Sequence, residues 1–134
     1  MCNPCASPSG RQALLFEALH DIPIPMNRSA QLAHDVYFTL KDASSEAAHK
    51  LVSACHTKLA GIEGVVCLAA GTRDHGLDRE VNDTTYDVSL HVFFSSREAH
   101  DAYQTASAHL EFIEANKDNW QSVRVFDSNL HPHE

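Results

Sequence analysis

The sequence predicts an α+β fold in the order β-α-β-β-α-β: a four-stranded antiparallel sheet with helices on one face, the ferredoxin-like pattern. Three observations predict it. Residues 34–41 and 86–94 alternate apolar and polar side chains, the mark of a strand with one face on a core. Each is followed by apolar residues at helical spacing. Two further stretches, residues 65–70 and 120–127, are short enough and apolar enough to supply the remaining strands.

Residues 1–32 read as a flexible N-terminal extension, since their opening is small, polar and Pro-containing. Residues 11–20 could form a short amphipathic helix, and Pro23 and Pro25 forbid helix after it. Met26 is a candidate translational start. The folded domain is expected over residues 33–128, with a polar tail at 129–134.

In the first strand His34, Val36, Phe38 and Leu40 face one way, and Asp35, Tyr37, Thr39 and Lys41 the other. Asp42 or Ser44 can cap the helix that follows. Its core stripe is Ala48, Leu51, Val52, Cys55 and Leu59, and Gly61 is placed to close it. After the second strand, residues 71–84 are polar and form a long hairpin connection that His75-Gly76 could turn. Loops of that length serve as lids or remain mobile tips.

In the third strand Tyr86, Val88, Leu90, Val92 and Phe94 share one face. Ser95 and Glu98 then have the spacing of a capping box. The helical pattern lapses at residues 104–107, where Thr105 or Ser107 could cap a new helix, and resumes with His109, Phe112 and Ile113. The other sheet face carries Tyr37 and Phe93 beside Asp35, Ser89 and His91. Aromatics on an uncovered sheet face call for a partner.

Composition narrows the function. The chain has 134 residues, 43% hydrophobic and 21% charged, the makeup of one globular domain. No apolar run of membrane-spanning length occurs, and no basic-then-apolar leader opens the chain, so a cytoplasmic location is expected. The formal charge is −8 with only ten scattered Lys and Arg, which disfavours nucleic acid. Cys55 and Cys67 read as buried reduced thiols, and Cys2 and Cys5 form an isolated CxxC. Ten histidines are many, yet no HExxH or clustered HxH lies within the fold, so neither a metal site nor a cofactor is expected.

His34, Tyr103 and His109 are the candidates for chemistry. Strand alternation turns His34 toward the helices, and helix periodicity turns His109 toward the same layer. A phenol and an imidazole at the edge of an apolar cavity could form an acid–base pair. A satisfied core histidine and a space-filling tyrosine explain the same residues. The step from Tyr103 to His109 leaves them about 120° apart on a regular helix, so pairing them requires a break at residues 104–107. Val36, Phe38, Val88, Leu90, Phe112 and Ile113 are the expected lining.

The tyrosine, the histidine six residues on and the aromatic three residues later follow a VxF-type strand. With HDVYFTL at residues 34–40 and VRVFD at 123–127, this resembles the stress-responsive α/β-barrel (Dabb) family. The resemblance implies a dimeric α/β barrel, in which a second copy covers the open sheet face. It also implies that Tyr103 and His109 match the catalytic pair of the family's plant polyketide cyclases, with His34 matching a first-strand histidine. The sequence departs from those cyclases at Ala106-Ser107, where the family has His-Pro, and at Val88, where they have histidine. Three functions fit: a homodimer binding a small apolar carbonyl ligand; a cofactor-free cyclase, lyase or isomerase using Tyr103 and His109; and a monooxygenase-like or haem-handling relative.

Overall fold

A computed structural model describes residues 29–133. The readings for residues 1–28, including the short helix, Met26 and the CxxC, lie outside the described residues. The elements run β1 (Leu32–Leu40), α1 (Ser45–Leu59), β2 (Val65–Thr72), β3 (Val88–Phe94), α2 (Arg97–Thr105), α3 (Ser107–Asn116), a 3-10 turn (Lys117–Asn119) and β4 (Trp120–Asn129). All neighbouring strands pair antiparallel, in the order β2-β3-β1-β4. The α+β, ferredoxin-like architecture is therefore as the sequence predicts, with its second helical segment divided in two.

The core lies between the helices and one sheet face. Val36 and Phe38 from β1, Val88, Val92 and Phe94 from β3, and Leu51, Cys55 and Leu59 from α1 are all buried. Truncating one of the larger of these to Ala costs about 2–5 kcal/mol, through lost transfer energy and the cavity left behind.

Several local expectations shift. Ser44, not Asp42, caps α1 by accepting from Ala47 N–H, while Asp42 accepts from Ser44 N–H in the preceding turn. The left-handed residue after α1 is Gly64, at φ 93°, not Gly61. Ser96, not Ser95, caps α2, because Ser95 still donates its backbone N–H to Gly64 O. Neither Thr105 nor Ser107 caps α3; the cap position falls to Ala106, without a side-chain bond. Tyr86 precedes β3 and packs against Tyr37 on the open face, ring centroids 4.9 Å apart. Cys67 is half-buried and disulfide-bonded, so of the two expected buried thiols only Cys55 is one. The ordered edges also lie slightly beyond residues 33–128: Leu32 is paired in β1, and Leu130 N–H donates to Gln31 O.

The connection from β2 to β3 turns at His75-Gly76, where Gly76 N–H bonds to Asp74 Oδ1. It then folds onto the open sheet face. Arg124 of β4 holds it there through Asp83, at 2.8 Å, and through Thr85 Oγ1. It is therefore no lid over the space between helices and sheet.

Candidate functional site

Ala106 is where the site is made. Its extended backbone (φ −62°, ψ 138°) ends α2 and restarts the chain as α3. The break brings Tyr103, in the last turn of α2, against His109, in the first turns of α3. Their ring centroids are 4.5 Å apart and tilted by 37°. His34 reaches them from β1, with its ring 5.9 Å from that of Tyr103. The three residues singled out in the sequence thus converge.

They share a cavity of about 190 Å³ between helices and sheet. Val36, Phe38, Leu90, Phe112 and Ile113 line it, together with Leu59, Trp120, Val123 and Val125. Val88 does not: it is fully buried elsewhere in the core. Val123 and Val125 remain 40% and 50% exposed, so the cavity opens along β4.

The polar groups of the cavity are few and only partly paired among the described residues. Tyr103 is 1% exposed, and its hydroxyl has no hydrogen-bond partner among the described residues. Burial pushes its pKa well above the usual phenol value, so it stays protonated. His109 Nδ1 lies 3.2 Å from Gln104 O. A carbonyl only accepts, so Nδ1 carries the proton and Nε2 keeps its lone pair. Burial pushes the His109 pKa down; the Gln104 carbonyl opposes this and nearby His34 adds to it. The buried indole N–H of Trp120 also lacks a partner among the described residues. Leaving such a donor unmade costs about 1–3 kcal/mol, which a bound acceptor recovers.

Two groups at this site were not read from the sequence. Asp127 lies directly across from His34 in the β1–β4 register, with Oδ1 2.5 Å from His34 Nδ1. His100 sits one turn before Tyr103, its ring 5.2 Å from that of His34. The i, i+3 spacing of His100 and Tyr103 was the available signal for the second. The first needed the register of strands ninety-three residues apart.

The family model of the stress responsive A/B barrel domain matches residues 32–130. The chain belongs to this family. Solved structures share the fold. An Arabidopsis thaliana protein is 22% identical, with a TM-score of 0.65 over 77% of this chain and 98% of its own. A Dabb family protein with a ferredoxin-like fold from Mesorhizobium loti is 19% identical, with a TM-score of 0.64 over 78% and 100%. A dimeric ferredoxin-like protein from Thermobifida fusca is 16% identical, with a TM-score of 0.62 over 76% and 92%. No curated protein matches the sequence. Among the described residues, no helix is long and apolar enough to cross a membrane.

Proposed function

We propose that this Dabb-family chain is a homodimeric binding protein for one small apolar carbonyl compound, held between the helices and the sheet. One observation carries the reading: the hydroxyl of a buried tyrosine, without a partner among the described residues, lines a mainly apolar cavity beside an imidazole whose Nε2 carries a lone pair. A phenol donor and an aliphatic wall fit a carbonyl oxygen on a hydrocarbon body. Pockets for drug-sized ligands run to about 300–1,000 Å³, whereas an apolar cavity of about 150 Å³ takes one benzene ring. The cavity here sits nearer the second figure, so the ligand is about one ring in size. A haem would not fit it. Extraction of the purified protein into denaturing solvent, followed by mass spectrometry, tests the reading. Retention of a small carbonyl metabolite supports it, and a loss of that metabolite in Tyr103→Phe locates it.

A second reading, cofactor-free acid–base catalysis, is favoured by the break at Ala106. Tyr103 would donate a hydrogen bond to the carbonyl oxygen, and His109 Nε2 would take a proton from the adjacent carbon. The enolate charge would then develop against the phenol. The directions of both pKa shifts suit these roles near neutrality. Proton exchange of a bound ketone with deuterated water, lost in His109→Ala, tests it.

The dimer is read from the open sheet face. Phe126 is 51% exposed there, edge-on to Tyr37, and the Asp35–His91 pair at 2.7 Å lies beside them. That a relative from Thermobifida fusca is dimeric supports a dimer here.

A further inference from the structure

We infer that His34, His100 and Asp127 form a binding site for a divalent transition-metal ion of the zinc class, a function beyond the carbonyl-binding reading that shares His34 with the cavity. Each residue offers one ligand atom, and the three atoms lie within 4.8 Å of one another. Asp127 Oδ1 is 2.5 Å from His34 Nδ1 and 3.7 Å from His100 Nε2. Tetrahedral ligands at zinc distances stand about 3.4 Å apart. Asp127 meets that spacing to both imidazoles if its carboxylate draws back from His34 by about 1 Å. Asp127 is half-exposed, while both imidazoles pack against the Phe94 ring.

The surroundings of His100 point to a ligand as well. Its Nδ1 lies 3.0 Å from Asp101 Oδ1, a carboxylate that also takes Arg97 Nε at 3.0 Å. A metal-ligating histidine characteristically gives its other N–H to a carboxylate in this way, which fixes the tautomer and turns the lone pair toward the ion. That lone pair now faces Asp127 and the Gln104 side-chain amide at 3.3 Å, a neutral donor that an ion would displace. The three ligands come from β1, α2 and β4. The two strands are paired in register at this point, so the sheet presets two of them. Two imidazoles and one carboxylate suit zinc, nickel, cobalt or copper, whereas magnesium and calcium prefer all-oxygen sets. Three protein ligands on a partly exposed edge leave a fourth position for water.

Co²⁺ is the probe, because its visible absorption reports a four- or five-coordinate nitrogen–oxygen site. The full chain, stripped with chelator, is titrated with Co²⁺ and then displaced with Zn²⁺. A His131→Ala/His133→Ala variant runs alongside to remove the tail histidines. The expected result is a saturable band at one ion per chain, displaced by Zn²⁺, kept in the tail variant and lost in His100→Ala and Asp127→Asn. Should His100→Ala lose its folded circular dichroism, Asp127→Asn, a near-isosteric change at a half-exposed position, decides alone. No saturable band, or a band that survives Asp127→Asn, overturns the assignment. Ligand retention by chelator-stripped protein reads the carbonyl site separately, so the two can fail independently.

Discussion

At the scale of single residues, His109 is the group whose protonation state the pocket sets. Its pKa is lowered from the ordinary value of 6.5, chiefly by burial. The unfolded chain therefore binds more protons than the folded one as pH falls through 6.5. The contribution of a neutral His109 to stability is present above that pH and is lost progressively below it. We expect the melting temperature to fall between neutral pH and mild acid, and to fall less in His109→Gln. Ring resonances of His109 should titrate with a midpoint below 6.5; a midpoint at or above it contradicts the burial argument. Tyr103 is constrained in the opposite sense. Burial holds the phenol protonated, so it serves as a donor and not as a base at ordinary pH.

At the scale of elements, the fold depends on two backbone positions. Gly64 holds φ 93° between α1 and β2, and a Cβ placed there would stand 2.5 Å from Ala99 Cβ on α2. Gly64→Ala should therefore destabilise by about 2 kcal/mol or more, combining backbone strain with overpacking. Chemical denaturation reads this directly, and an unchanged midpoint would mean that α2 does not pack where described. The second position is the step from α2 to α3. Ala106 is already extended and Ser107 is the first residue of α3, the geometry that proline favours on both counts. Ser107→Pro should leave the fold intact and raise stability by up to about 1 kcal/mol. A sharp loss would place Ser107 inside a continuous helix and separate Tyr103 from His109. The sequence made this break legible, because the apolar pattern lapses where the helix ends. It also made β1 and β3 legible, because their alternation is uninterrupted. The caps were less legible. Ser95 and Ser96 are chemically equivalent, and only the bond from Ser95 N–H to Gly64 O, a contact between distant segments, decides which one caps. Gly61 and Gly64 pose the same ambiguity. Of the site, the residues that share a local period with the apolar stripe could be read. Asp127 could not, since its partner is set by strand register.

At the scale of the whole molecule, the sheet has one face under helices and one covered only in part, by the β2–β3 connection, and the second face carries Tyr37, His91 and Phe126. We expect light scattering after size exclusion to give about twice the chain mass at micromolar concentration, and Phe126→Asp to return a monomer that keeps its circular dichroism. The central claim, however, is that the cavity between helices and sheet receives a one-ring carbonyl compound at Tyr103 and His109. Its most direct measurement is a nitrogen–proton NMR titration of the wild type and Tyr103→Phe with acetophenone. The account predicts saturable shifts confined to residues around the cavity, including the Trp120 indole N–H, with affinity reduced by about fivefold to tenfold in Tyr103→Phe through loss of one hydrogen bond. Absence of saturable shifts at the cavity, or equal affinity in the two proteins, would contradict it.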